Sequence, residues 1–132
     1  MKRIIALAAV SALALQPVAH AAYIYEPQVS VYTSSTFDEA YGSIGGAING
    51  PGILQFIGCQ NGANAAGNYT YLFCQAEDAS GASLGCYYLD PPEGLIQAAA
   101  SINMQSYIAF SANPSTGECT DLTVETGSQF YN

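Results

Sequence analysis

Residues 71–89 carry the clearest strand pattern of the chain. Apolar or small side chains take every second position on both sides of a turn: Leu72, Cys74, Ala76, Leu84, Cys86 and Tyr88. A period of two is that of a strand with one buried face. The turn Ala79-Ser80-Gly81, with Gly81 in left-handed backbone, predicts a hairpin in which Asp78 pairs with Ala82. This register places Cys74 directly opposite Cys86.

The other face of this hairpin is aromatic near its open end and polar near the turn. Phe73 falls opposite Tyr87 and Tyr71 opposite Leu89, whereas Gln75 lies closer to the turn. Aromatic side chains in cross-strand pairs present flat apolar surface. This face is therefore apolar at its open end and solvated near the turn.

Four further segments have strand composition: residues 28–33 as an edge strand, 53–59, 107–112 and 119–126. Residues 113–117 read Asn-Pro-Ser-Thr-Gly, a turn that joins the last two of these strands into a second hairpin. In the final strand Cys119 is out of phase with Leu122, which indicates either a β-bulge near Thr120 or a different register for this strand.

Residues 91–103 have the pattern of a capped helix. Asp90 is a capping residue, Pro91 suits the first turn, and Glu93 completes a box-like arrangement. Apolar side chains then follow at helical spacing: Leu95, Ile96, Ala99 and Ile102. Nearer the N-terminus, residues 36–39 predict the start of a short helix. The Gly-, Ala- and Ser-rich residues 41–49 predict a strand that other backbone approaches closely.

The first 21 residues have the pattern of a signal peptide. Lys2 and Arg3 precede an apolar run over residues 4–15, and Ala19-His20-Ala21 offers the small residues that signal peptidase requires. This run spans about 18 Å as a helix, short of the roughly 30 Å hydrocarbon core of a bilayer. We expect cleavage after Ala21 and one domain over residues 22–132. The product is expected to be bacterial and secreted or periplasmic, with attachment to the cell surface as a further destination.

The chain has four cysteines, Cys59, Cys74, Cys86 and Cys119. An even number in an exported domain indicates two disulfides, and four cysteines allow three connectivities. Opposed positions of an antiparallel pair lie about 4.5 to 5.5 Å apart, within reach of a disulfide. The hairpin register therefore predicts a Cys74–Cys86 bond, which leaves Cys59 to pair with Cys119. We expect no metal site, because there is no C-x-x-C spacing and the one histidine lies in the leader.

Outside the leader the chain has no lysine, arginine or histidine, and it keeps all ten carboxylates. Proteins hold nucleic acid and anionic lipid through Lys and Arg, so we expect neither as a partner. Histidine-dependent acid/base and nucleophilic catalysis are excluded as well. Paired carboxylates are the one catalytic chemistry left, with three candidate pairs: Asp38 with Glu39, Glu77 with Asp78, and Glu118 with Asp121.

These pairs are poor catalytic dyads. Neighbouring strand residues point to opposite faces, which separates Glu77 from Asp78. Asp38 and Glu39 suit the start of a helix, where the helix dipole favours negative charge. We therefore expect no enzyme and no cofactor.

The order of strand, cysteine-bridged hairpin, capped helix and final hairpin is similar to that of the OB-like B subunits of AB-type bacterial toxins, such as subtilase cytotoxin and pertussis toxin. The resemblance covers residues 53–126 and rests on 71–74, 84–86, 91–103 and 106–110. It implies a mainly β (α+β) fold, a small disulfide-stapled OB-like barrel of about five strands with one capped helix. It also implies glycan binding and assembly into a ring or on a larger protein. Cys59 and Cys119 have no counterpart in the family, and no cation can meet a sialate carboxylate, so no site residue is transferred.

The sequence favours a small exported binding module for a neutral glycan or a protein partner. Tyrosines and amides suit neutral sugars through stacking and hydrogen bonds, and we name Tyr87, Tyr88 and Phe73 as candidate binding residues. Alternatively, these aromatics fill a core that lacks tryptophan. A second hypothesis is a self-assembling extracellular structural or inhibitory protein, a homo-oligomer paired through exposed strand edges and one apolar patch: Tyr23, Tyr25, Val29 and Val31.

Overall fold

A computed structural model describes residues 26–51 and 54–130, which form seven strands and two α-helices. In chain order the elements are β1 Ser30–Thr33, β2 Asp38–Ser43, α1 Ile44–Asn49, β3 Phe56–Ala63, β4 Thr70–Glu77, β5 Ser83–Leu89, α2 Glu93–Ala100, β6 Ser106–Ala112 and β7 Cys119–Thr126. A short 3-10 helix, Ser128–Phe130, follows the last strand. The predicted signal peptide, Tyr23 and Tyr25 lie outside the described residues.

The strands form two antiparallel sheets. One has four strands in the order β1-β2-β6-β7, and the other has three in the order β3-β4-β5. Their facing sides meet in a single core, whose largest fully buried side chains are Phe110, Leu72 and Ile108. The mainly β class is therefore confirmed. Neither described helix is long and apolar enough to cross a membrane.

The closed barrel of about five strands with one helix is not what the described strands form. Closure would need a continuous ladder between the two sheets, and β5 meets β7 only at the isolated parallel bridge between Tyr87 and Glu118. Both sheets therefore stay open. Strands β1 and β2 bring the number of strands to seven by extending the four-stranded sheet, and α1 adds a second helix.

The predicted hairpin is confirmed in every pairing. Leu72 lies opposite Tyr88, Cys74 opposite Cys86 and Ala76 opposite Leu84. Gly81 has a φ of +84°, the left-handed backbone that the three-residue turn requires. The Asp78 amide donates to the Ala82 carbonyl at 2.9 Å.

The disulfide pairing predicted from this register is wrong. The bonds join Cys59 to Cys74 and Cys86 to Cys119. Because β4 is the central strand of its sheet, Cys74 has an opposed cysteine on each side: Cys86 on β5 and Cys59 on β3. Cys86 bonds instead across the core to Cys119 on β7. The hairpin pattern could show only one of the two neighbours of Cys74.

The predicted bulge in the last strand is confirmed. Ser111 pairs with Asp121 while the next residue, Ala112, pairs with Cys119, which leaves Thr120 as the extra residue. The bulge changes the alternation by one position. As a result Cys119 and Leu122 are both buried.

The helix after the hairpin is present but shorter than predicted, and its cap is not Asp90. Helix α2 runs from Glu93 to Ala100, with Pro92 at the N-cap and no side-chain cap hydrogen bond. Asp90 instead adopts a φ of +51° and accepts a hydrogen bond from the Thr70 amide at 2.8 Å. Its carboxylate thereby joins the two ends of the β4–β5 hairpin.

The N-terminal part departs most from the prediction. The edge strand is confirmed as β1, whereas Asp38 and Glu39 begin strand β2 and no helix starts there. The expected strand over residues 41–49 ends at Ser43, whose hydroxyl caps α1 by accepting from the Gly46 amide at 2.8 Å. Close backbone approach is confirmed at Gly46, where an added Cβ would lie 2.2 Å from the Pro27 carbonyl oxygen.

We expect Leu72→Ala to lower the free energy of unfolding by about 3 kcal/mol, because Leu72 is fully buried between the sheets. Leu89→Ala is the matched control on the same hairpin, with a side chain that is 49% exposed, and should change stability by less than about 0.5 kcal/mol. Urea unfolding with both disulfides intact measures the difference. Equal losses would contradict the assignment of the two faces.

We expect Asp78→Ala to destabilise the protein near neutral pH and to lose this effect in acid. The Ser80 hydroxyl, helped by the amides of Ser80 and Ala82, holds the pKa of Asp78 below its usual 3.8. A lowered carboxyl pKa stabilises the fold above the unfolded pKa, and that stability disappears as the pH falls through the folded pKa. The effect should be small, because solvent screens this surface carboxylate. Unfolding curves of both proteins between pH 7 and pH 2 test it, and a difference independent of pH would count against it.

Candidate functional site

The outer face of the three-stranded sheet is the surface that β3, β4 and β5 turn away from the core. Its side chains form four cross-strand rows, fixed by the register: Gly62, Tyr71 and Leu89; Gln60, Phe73 and Tyr87; Gly58, Gln75 and Gly85; Phe56, Glu77 and Ser83. The first two rows are mainly apolar. The third has glycine on both sides of a single glutamine.

A depression between β3 and β4, which we call the glycine groove, lies beside Gly58. It has a volume of about 200 Å³ and is lined by Gly58, Cys59, Gln60, Phe73 and Gln75. A Cβ added at Gly58 would meet no atom within 4 Å, and one at Gly85 would come no closer than 3.8 Å to any neighbour. Space for a ligand therefore exists beside Gly58 because this strand position lacks a side chain.

Aromatic side chains stand on both sides of the groove. Phe73 and Tyr87 are directly opposed on β4 and β5, and Tyr87 is 47% exposed. Phe56 lies beyond the glycine row and is 39% exposed. Along β3 the row of Phe56 and the row of Phe73 are four positions apart, a distance of about 13 Å. One six-membered ring fits in such an interval.

Tyr71 widens the aromatic surface beyond Phe73. An added Cβ at Gly62 would lie 2.7 Å from the Tyr71 hydroxyl oxygen, so the Tyr71 ring extends across the neighbouring strand. Leu89, half exposed, follows Tyr71 in the same row. The outer face is therefore apolar on one side of the groove.

The structure brings two of the three predicted binding residues together. Phe73 and Tyr87 lie side by side on the outer face, as the hairpin register predicts. Tyr88 lies opposite Leu72 on the inner face, where it packs against the core. For Tyr88 the core-filling alternative fits the structure better than a binding role.

Sequence reasoning named Phe73 but missed the glycine and the two glutamines that line the groove with it. The predicted register already placed Gln75 opposite Gly85, and the glycine beside a polar residue was a usable signal. Gly58 and Phe56 could not be assigned to this surface from the sequence, because nothing in the sequence paired β3 with β4. That pairing places Gly58 opposite Gln75 and Phe56 opposite Glu77.

Charge is almost absent from this surface. None of the five groove-lining residues is ionisable in the disulfide-bonded protein. Of the four rows, only the last contains a carboxylate, Glu77. Glu118 approaches from the side, at the parallel bridge to Tyr87, where the Tyr87 amide donates to the Gly117 carbonyl at 3.1 Å.

The aspartates of the three candidate carboxylate pairs serve local structure. The Asp38 carboxylate accepts a hydrogen bond from the Ser34 amide, and that of Asp121 accepts from the Leu122 amide. Asp78 accepts from the Ser80 amide, the Ser80 hydroxyl and the Ala82 amide. These contacts hold turns and strand ends in place.

The apolar patch predicted for self-assembly has two members among the described residues, Val29 and Val31, and they do not form an exposed surface. Val29 is buried, and Val31 packs against the core from the edge strand β1. Tyr23 and Tyr25, the other two members, lie outside the described residues. The two valines therefore stabilise the domain and offer little area to a partner.

The geometry of the outer face suits the binding of a flat, uncharged ligand. A ring placed in the glycine groove could stack against Phe73 and reach the amides of Gln60 and Gln75.

A scan of protein-family models, a search of curated proteins and a search of solved structures each return no match for this chain.

Proposed function

We propose that this protein is an exported binding module whose glycine groove holds a ring of a neutral glycan. The observation that carries the proposal is the uncharged groove itself. It combines space left by Gly58 with the ring of Phe73 and the amides of Gln60 and Gln75.

Each part of the groove matches one property of a sugar. The apolar face of a pyranose ring packs well against an aromatic ring, and its hydroxyl groups exchange hydrogen bonds with side-chain amides. Pockets for drug-sized ligands usually exceed about 300 Å³. The groove, at about 200 Å³, suits one monosaccharide unit of a longer chain.

The charge of the chain favours a neutral glycan over an acidic one. Its ten carboxylates have no side-chain cation to balance them outside the leader. A sialylated or uronic-acid glycan would meet repulsion from this field and find no arginine or lysine partner. Binding of a neutral sugar should also depend little on salt, because no ion pair forms.

Two further features support the proposal. Both disulfides favour an oxidising compartment, as expected for an exported protein that meets external glycans. Glycan binding is also what the resemblance to toxin B subunits implies. Because the strands form open sheets, the proposal rests on the groove and does not depend on that resemblance.

A glycan array followed by calorimetric titration tests the proposal with the variant Gly58→Val. The added side chain enters open space, so the fold should keep its stability while the groove is filled. We expect affinity for the array's best neutral glycan to fall at least about tenfold, a loss of about 1.4 kcal/mol. Gly94→Ala, which also adds a side chain to open space but on α2, is the control and should bind like the wild type.

Two results would contradict the proposal. Wild-type protein that stays silent across neutral glycans would refute glycan binding as the function. A Gly58→Val protein that binds as well as the wild type would refute the groove as the site.

Tyr87→Ala and Tyr88→Ala should have opposite effects, because the two neighbours face opposite sides of the sheet. Tyr87→Ala should weaken glycan binding with little change in stability, since the ring is largely exposed. Tyr88→Ala should lower the free energy of unfolding by about 2 kcal/mol, because its ring packs against the core. Parallel titrations and urea unfolding measure both effects. If only Tyr87→Ala lost stability, the assignment of Tyr87 to the outer face and Tyr88 to the core would be wrong.

A further inference from the structure

Three cysteines occupy one cross-strand row of the three-stranded sheet. Cys59, Cys74 and Cys86 stand side by side on β3, β4 and β5. Cys74 is the middle member, so both neighbours lie at the distance of directly opposed strand residues. Two different disulfides of Cys74 are thus compatible with one and the same backbone register.

The fourth cysteine completes a cluster. Cys119 reaches the row from the other sheet, and the sulfur atoms of Cys74, Cys86 and Cys119 all lie within 4.8 Å of one another. All three residues are buried. The sulfur of Cys74 is therefore close to the Cys86–Cys119 bond although it belongs to the other disulfide.

We propose that the two disulfides form one exchange cluster, in which Cys74 can change its partner from Cys59 to Cys86. The rearrangement needs a small external thiol as its co-reactant. It uses thiol–disulfide exchange, in which a thiolate attacks one sulfur of a disulfide and the other sulfur leaves with the electron pair.

The exchange takes two steps. First, the external thiolate attacks the Cys59 sulfur, forms a mixed disulfide there and releases Cys74 as a thiolate. Second, the Cys74 thiolate attacks the Cys86 sulfur, forms the Cys74–Cys86 bond and releases Cys119, which takes up a proton. The number of disulfide bonds is conserved in each step, so no electron is gained or lost overall.

Burial sets the order of these steps. Cys59 is the one cluster member that is only half-buried, and it lies on β3, the edge strand of the three-stranded sheet. The other three sulfurs belong to buried residues. An external thiol therefore reaches the cluster through Cys59, and the buried Cys74 carries the exchange inward.

The rearrangement would loosen the junction between the sheets. Cys86–Cys119 is the covalent link between β5 and β7, and its neighbours Tyr87 and Glu118 form the parallel bridge there. Release of Cys119 would leave this junction without its covalent link. The Tyr87 end of the outer face would then gain freedom to move.

The variant Cys59→Ser tests the second step in isolation, because it leaves a free Cys74 thiol beside the intact Cys86–Cys119 bond. The folded variant is held slightly above the usual thiol pKa of about 8.5, quenched with acid, alkylated and mapped by mass spectrometry. A tenfold preference for the original pairing would still leave about one chain in ten rearranged. We expect at least that fraction to show a Cys74–Cys86 bond with alkylated Cys119, and less at lower pH, where less of the nucleophilic thiolate is present.

The matched control is Cys74→Ser, which also frees one thiol of the same disulfide but removes the middle member of the row. Its Cys59 should be alkylated and its Cys86–Cys119 bond unchanged. The proposal is overturned if Cys59→Ser shows only alkylated Cys74 with Cys86–Cys119 intact. Rearrangement in Cys74→Ser would overturn it too, because exchange would then not pass through Cys74.

Wild-type protein gives a second test that does not depend on the folding of a variant. Incubation with less than one equivalent of glutathione should give chains that carry the glutathione adduct on Cys59, a Cys74–Cys86 bond and a free Cys119. Chains with the adduct on Cys59 and a free Cys74 alone would contradict the second step.

Discussion

The disulfide between Cys86 and Cys119 is the constraint on which the arrangement of the two sheets depends. Among the described residues, strand pairing between the two sheets is limited to one parallel bridge, and this disulfide closes the junction beside it. The chain has no side-chain cation over residues 26–130, so no side-chain ion pair can help there. A cross-link over 33 residues contributes about 4 kcal/mol in the chain-entropy model, a large part of the stability of a small domain.

With the inner faces joined in this way, the outer face of the three-stranded sheet becomes the surface available for recognition. The inner face of this sheet carries Leu72, Cys74 and Cys86, and the residues of the outer face alternate with them along the same strands. The two faces therefore separate the aromatic residues: Tyr88 packs against the core, while Phe73 and Tyr87 lie on the outer face, where we propose the binding site. The groove exists because Gly58 leaves open space beside Phe73 and the two glutamines.

Local signals in the sequence were sufficient to predict the features that depend on neighbouring residues. The hairpin register, the left-handed Gly81 and the bulge at Thr120 each depend on a few neighbouring residues, and all three were predicted. The disulfide pairing and Gly58 depend on β3 packing against β4, a contact that no local pattern encodes. Helix α1 was missed because its glycines are poor helix formers; the Ser43 cap and close packing at Gly46 stabilise it instead.

Disulfide mapping of the unreduced native protein tests the central claim most directly. The protein is digested in acid, which prevents exchange, and the linked peptides are identified by mass spectrometry. The account predicts Cys59 linked to Cys74 and Cys86 linked to Cys119. Peptides that link Cys74 to Cys86 and Cys59 to Cys119 would contradict it, because the covalent link between β5 and β7 would then be absent.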